Sequence, residues 1–467
     1  MTPVIRVAVS VLAVLGFTTT ACRNEPDPGG SEAEAADGFW LSEGYGMMLQ
    51  IDRDSLRVWE VTAKSCIPAA AGERVLGAGS PTEPVFQSEA FGKLELRLGA
   101  GGSRRIHAGG AASETVINRI PSKLPVCSQP TPNTPESNFD VFATTWAEHY
   151  ILFDEKKVDW PAVVAESRAK VTPTTTPQQL FQILREMIEP MNDAHTFILA
   201  EDLNERFGGF REGTGRFFEK GRDHFRTVEM PRITAVTNRY LSGPVRTWCN
   251  DQIQYAPIDD STGYFRILSF SGYASGGFEP SLAALESALD TIMTDMAARQ
   301  RLVIDVRLNL GGADPLGLAI AARLTPREYQ AYSKEARADP VDRTKWTPGQ
   351  PSTVRPSTRP SFHGEVVELI GPLTISAGET FTQALMGREP KVVRIGENTQ
   401  GVFSDVLGRR LPNGWRFGLP NEVFRTAEGK TFDGPGIPPD LTVPVFPESE
   451  LRSGRDGALE RAIGRKR

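Results

Sequence analysis

The sequence predicts an α/β protein: a layered, mainly parallel core, preceded by a helical subdomain and a small N-terminal antiparallel β domain. Three observations carry this expectation. Apolar residues alternate with period two over roughly residues 39–119, they switch to a helical period from Phe139, and from about residue 261 short apolar runs alternate with amphipathic segments of helix length. At 467 residues the chain exceeds one ordinary domain, so two or three folding units are expected. A formal charge of −6 with no block of consecutive basic residues removes the electrostatic footprint of a nucleic-acid binder, and no nucleic-acid partner is expected.

Residues 1–22 read as an export signal: Arg6 gives a weak positive region, Val7 to Phe17 is apolar, and Thr18-Thr19-Thr20-Ala21-Cys22 is built of small side chains. The apolar run is too short to span a bilayer. Small residues ending in Cys resemble a bacterial lipoprotein signal, with Cys22 acylated as the mature first residue and the membrane reached through that lipid. Thr19 stands where Leu is usual, and simple signal cleavage is the alternative. Either reading places the protein outside the cytoplasm, in the periplasm or at the cell surface. Residues 23–37 are acidic, small and rich in Pro and Gly, which suits a flexible tether.

The β domain, residues 38–122, is read from Lys93-Leu94-Glu95-Leu96-Arg97-Leu98 and from Arg57 to Val61 after the turn-like Asp52-Arg53-Asp54-Ser55. Of Cys66, Cys127 and Cys249, an oxidising compartment favours one disulfide, and Cys66 with Cys127 is the expected pair. The helical subdomain, residues 133–200, places Phe139, Phe142, Trp146 and Tyr150 on one face. A second helix begins at the capping-box sequence Thr176-Pro177-Gln178-Gln179 and stops at Pro190, leaving Asn192-Asp193-Ala194-His195 on a loop. Residues 201–260 are a poorly patterned connection, within which 201–225 reads as a mobile surface loop rather than a lid. The core, residues 261–447, offers strands at Gly263 to Leu268, Leu302 to Val306, Val366 to Ile370 and Val392 to Ile395. Helices are expected over Leu282 to Met296 and Ala377 to Met386, and residues 448–467 are left as a C-terminal tail.

Two strand-to-helix junctions suit acyl transfer. Asp305-Val306-Arg307-Leu308-Asn309-Leu310-Gly311-Gly312 ends in paired glycines, whose backbone can turn sharply and bring N–H groups to a substrate oxygen. Gly371-Pro372-Leu373-Thr374-Ile375-Ser376-Ala377-Gly378-Glu379 places Ser376 at a helix start, where the dipole favours an alkoxide; on local sequence alone a helix N-cap is the commoner role for such a serine.

The order of segments resembles the tail-specific, or C-terminal processing, serine peptidases (family S41), and within them the tricorn-core and retinoid-binding-protein-like branch. The resemblance runs through Val158-Asp159-Trp160, Asn192 to Thr196, Gly263 to Ile267 with Ser269-Phe270, Asp305 to Gly312, Ser376 to Glu379, Ile395 to Gly401, Leu411 to Gly414 and Gly434 to Asp440. It implies a ClpP- or crotonase-like catalytic core, a polypeptide substrate, a Ser376 nucleophile, oxyanion donors at Gly312 and Ala377, and no metal or organic cofactor. Val402 stands where the Ser-Lys branch carries its lysine. His195 holds the place of the tricorn-type base, and imidazole can both take and return a proton near neutral pH. The resemblance points to Asp433 as the acid that orients it, with Thr196, Glu397 or Glu428 as substitutes. A non-catalytic ligand or peptide binder on the same fold, or a hydrolase of small amides or esters, are the competing expectations.

Overall fold

The computed structural model describes residues 36–464, so Cys22 and the export signal lie outside the described residues. The N-terminal alternation closes on itself. Eight antiparallel strands, from Gly38–Ser42 to Thr115–Ile120, form a barrel in which the first strand pairs with the last, Phe39 opposite Ile120. Closure removes the exposed edges that an open sheet of this length would present. Trp40, Leu49, Leu56, Phe86, Leu96 and Ile117 fill its interior. Where the chain leaves the barrel, Cys66 and Cys127 are joined in a disulfide, as the composition suggested, and Cys249 is buried and free.

Helices Pro135–His149, Trp160–Arg168 and Pro177–Ile188 follow. The last begins with the full capping box: Thr176 Oγ1 accepts from Gln179 N while Gln179 Oε1 accepts from Thr176 N. Their apolar faces meet around Phe142, Trp146, Tyr150, Trp160 and Leu184, and residues from far along the chain, Leu407, Trp415 and Phe417 among them, complete that core. The link is a four-stranded sheet in which Phe197–Ala200, just after His195, lies between Glu205–Gly208 and Arg416–Pro420.

The α/β core is a seven-stranded sheet. Its centre, Thr262–Ile267, Arg301–Asp305, Glu365–Ile370 and Val393–Gly396, is parallel throughout; antiparallel Arg246–Trp248 and Ile253–Pro257 extend one edge. Helix Phe278–Met296 packs Leu285, Leu289, Ile292 and Met296 against it. A three-stranded sheet, in the order Gln350–Val354, Tyr329–Ala336, Glu422–Arg425, stands beside the core and faces the barrel.

Within the connection 201–260, the stretch expected as a surface loop, residues 201–225, is largely exposed but carries short strands and helical turns and is pinned to the core at a few points. Residues 212–238 form short helical turns and the helix Met230–Asn238, and these are packed down: Thr214 is fully buried, with its hydroxyl on Pro372 O at 3.1 Å and on the Gln400 side chain, and Arg211 Nη1 donates to Pro435 O at 2.7 Å. Among the described residues no helix is long and apolar enough to cross a membrane.

Candidate active site

The two junctions singled out in the sequence meet. Asn309 does the joining: its Nδ2 donates to Ile267 O at 3.1 Å, its Oδ1 accepts from Gly311 N at 2.9 Å, and its carbonyl accepts from Ile375 N at 2.9 Å. Three strand ends are thereby held at one point. Beneath, Arg307 is fully buried and bonds both carboxylate oxygens of Asp305 and both of Asp456, so the turn rests on compensated charge. Gly311 and Gly312 adopt φ of +97° and +141°, and a Cβ on Gly311 would stand 2.7 Å from Ser376 Cβ and 3.2 Å from its Oγ. Only glycine allows the backbone this close to the serine.

Ser376 itself has φ +57° and ψ −122°, a conformation that an L residue occupies only under strain. It stands half-buried at the end of the turn after Glu365–Ile370 and immediately before helix Ala377–Ala384. Among the hydrogen bonds of the described residues, neither Gly312 N nor Ala377 N donates to a protein acceptor. Ala377 opens its helix, so its N–H has no intrahelical partner by construction. The arrangement presents free donors on the two turns that flank the serine hydroxyl.

Glu379, three residues on, is fully buried. Its Oε1 accepts from Gly401 N at 2.6 Å and its Oε2 from Val402 N at 2.8 Å and Ser376 N at 3.3 Å. Burial pushes its carboxyl up to about 7, against the pull of these donors. The segment 401–405 is thus strapped to the helix that follows Ser376.

His195 lies by the far end of that strap, with Ser404 and Asp405 as neighbours. Its loop is fixed by Asp193, whose Oδ1 accepts from His195 N at 2.8 Å while its carbonyl accepts from Thr196 N and Oγ1. Tyr150 Oη donates to Asp193 Oδ2 at 3.4 Å. The imidazole is buried, and Nδ1 makes no hydrogen bond. Burial lowers its basicity, while Asp193, Asp405 and the Ser404 backbone favour the protonated form. No hydrogen bond joins His195 to Ser376 among the described residues, but their neighbours Ala194 and Ile375 share one apolar cluster with Val402 and with Phe210, Phe217 and Phe218 of the packed-down connection.

Asp433 sits within the same group of residues but directs its hydrogen bonds elsewhere. Oδ1 accepts from Phe403 N at 3.2 Å, and Oδ2 from Thr431 Oγ1 at 2.8 Å and Phe424 N at 3.4 Å. It therefore holds the middle of the 401–405 strap; burial pushes its carboxyl up to about 7. Of the substitutes, Thr196 is on Asp193, Glu397 pairs with Arg216 at 2.6 Å, and Glu428 is exposed. Asp193, Glu379 and Asp405 shape the site without having been assigned roles from the sequence. The first two stood inside quoted motifs; Asp405 had no local signal. Among the described residues no group of His, Cys, Asp and Glu is arranged to hold a metal.

Residues 261–443 match the model of peptidase family S41, and residues 131–189 that of the tricorn protease C1 domain. No curated protein matches the chain. Among solved structures, a candidate peptidase from Parabacteroides merdae superposes with a TM-score of 0.59 at 24% identity, covering 71% of this chain and 96% of that one. Mature CPAF in complex with lactacystin superposes with a TM-score of 0.52 at 11% identity, covering 71% and 97%. At these identities the superpositions show a shared fold. Over the core, residues 261–443, the chain is similar to the serine-type peptidases of family S41.

Proposed function

We propose that the protein is an extracytoplasmic peptidase that cleaves peptide bonds through a Ser376 acyl-enzyme, with His195 as general base. The observation that carries this reading is the strained backbone of Ser376 at a helix start, with the Gly311-Gly312 turn pressed against it. A serine that merely capped a helix would have no need of a positive φ.

His195 takes the Oγ proton as Oγ bonds to the substrate carbonyl carbon, and the carbonyl oxygen becomes an oxyanion facing Gly312 N and Ala377 N. Each such donor lowers the barrier by about 3 kcal/mol. The imidazolium then protonates the leaving amine as the C–N bond breaks. Water attacks the ester along the reverse proton path, releasing the acid and restoring Ser376. Because burial lowers the basicity of His195, the imidazole is neutral at pH 7 and competent to accept the proton. Contacts between nucleophile and base tighten when substrate is bound, which fits the absence of a direct bond in the free enzyme.

The tricorn C1 match over 131–189 and Val402 in place of a lysine support assigning the base to His195 rather than to a Ser-Lys pair. Asp433 acts at one remove, by holding Phe403 N and with it the strap beside His195. The apolar run before Cys22 supports export and a lipid anchor.

Covalent labelling of the mature protein with a fluorophosphonate probe tests the reading. Wild type is expected to label, and Ser376→Ala and His195→Ala are expected not to. Full labelling of Ser376→Ala would show that another residue is the nucleophile.

A further inference from the structure

The N-terminal barrel reaches the catalytic strap through one side chain. The turn 43–46 leaves the barrel and wedges between Tyr329–Ala336, Glu422–Arg425 and the end of helix Pro135–His149. The fit leaves no room: a Cβ on Gly44 would be 2.7 Å from Ala336 Cβ, and one on Gly46 would be 2.6 Å from His149 Nε2. Asn421 Nδ2 donates to Gly44 O at 3.2 Å, and Arg409 Nη2 donates to Tyr45 O.

Held there, Tyr45 Oη donates to Glu422 Oε1 at 2.5 Å. Glu422 is buried; Lys334 Nζ, also buried, bridges its Oε1 at 3.1 Å to Asp405 Oδ2 at 2.6 Å. Glu422 Oε2 accepts from Asp405 N at 2.9 Å, and Ser404 Oγ accepts from Asn421 N and Glu422 N. The strap 401–405 therefore has anchors along its length: Glu379 at Gly401 and Val402, Asp433 at Phe403, and the Tyr45–Glu422–Lys334 chain at Ser404 and Asp405. The first anchor belongs to the nucleophile's helix and the last to the barrel. His195 stands against the barrel-held end.

We infer that Tyr45 is a positioning residue for the catalytic base: through Glu422 and Lys334 it fixes Asp405 beside His195, so that the barrel is part of the catalytic apparatus. The inference rests on His195 being the base. The groups that face its imidazole are Asp193 from its own loop and Ser404 and Asp405 from the strap, with Lys334 and Glu422 behind Asp405. Burial and Glu422 keep the Tyr45 phenol protonated, and so a donor, throughout the working range. Without that donor, Glu422 draws Lys334 toward itself and Asp405 loosens.

The test is the titration of the His195 imidazole by NMR with histidine-selective labelling, the signal assigned with His195→Gln, in Tyr45→Phe, Asp405→Asn and the double variant. Asn at 405 can still accept from Lys334 Nζ, whose charge stays paired with Glu422, so the change leaves folding intact. Loss of a neighbouring carboxylate is expected to lower the imidazole pKa by about 0.5 pH units in Asp405→Asn. Tyr45→Phe is expected to move it the same way, and the double variant no further than Asp405→Asn. The acid limb of fluorophosphonate labelling should follow to lower pH, with the plateau falling about twofold as a weaker base takes the proton. A shift in Asp405→Asn but none in Tyr45→Phe, or additive shifts in the double variant, would overturn the inference. Titration shifts intact in a protein whose Ser376 never labels would remove the peptidase reading and leave the coupling standing.

Discussion

Replacing Ser376 with glycine should make the protein more stable while abolishing its chemistry. At φ +57° and ψ −122° the Cβ of residue 376 is the source of strain, and a residue held in such a region costs about 1–3 kcal/mol. Glycine removes that term but adds about 0.5–1 kcal/mol through the greater freedom of the unfolded chain. The net gain is up to about 2.5 kcal/mol, or a few degrees in Tm at about 2–4 °C per kcal/mol for a unit of this size. Ser376→Ala is the matched control: it removes the hydroxyl and keeps the Cβ, so its Tm should stay near wild type. Both variants are expected to be inactive, and their difference isolates the backbone term. Thermal and urea denaturation of the pair provide the measurement. If Ser376→Gly is less stable than Ser376→Ala by about the 1 kcal/mol that glycine costs at a relaxed helical position, the strain does not exist and the argument for a nucleophile loses its base.

Other expectations follow from the same geometry. Gly311→Ala should abolish fluorophosphonate labelling, because its Cβ would meet Ser376 Cβ at 2.7 Å where the backbone already requires φ +97°; labelling at the wild-type rate would contradict the close approach. Arg307→Ala should destabilise by about 3–5 kcal/mol in urea denaturation, since it leaves Asp305 and Asp456 buried without their counter-charge. Glu368, fully buried with Oε1 on Thr382 Oγ1 and Oε2 unpartnered, is pushed up by burial to about 7 from its ordinary 4.5. The folded state therefore holds an extra proton between those values, and the stability it contributes is present below pH 4.5 and lost as pH rises through 7. Glu368→Gln should gain on wild type by up to about 3 kcal/mol between pH 5 and pH 8 in urea denaturation, and parallel curves would refute the shift.

What could be read from the sequence divides by the range of the forces involved. The strand at Thr262–Ile267 and the helix at Phe278–Met296 were legible because their apolar periods are local, and the turn holding Ser376 was legible because a buried run leads into a helix start. The conformation of 212–238 was not: its short turns have no period of their own and are held by Pro372, Gln400 and Pro435 from the core. Closure of the barrel depends on pairing Phe39 with Ile120, a contact no local window contains. The Lys334–Asp405–Glu422 group was invisible for the same reason, since its members come from different strands and loops and acquire meaning only when buried together.

The strand Phe197–Ala200 bears on the order in which the enzyme comes into being. It lies between a neighbour eight residues away and Arg416–Pro420, more than two hundred residues downstream. On the ribosome, the helices before it emerge complete while the loop carrying His195 still lacks one side of its sheet. Long-range pairings of this kind close late. A nascent chain ending between residues 376 and 416 therefore carries Ser376 and His195 on parts that this sheet does not yet hold in register, and the activity proposed for them waits for Arg416–Pro420.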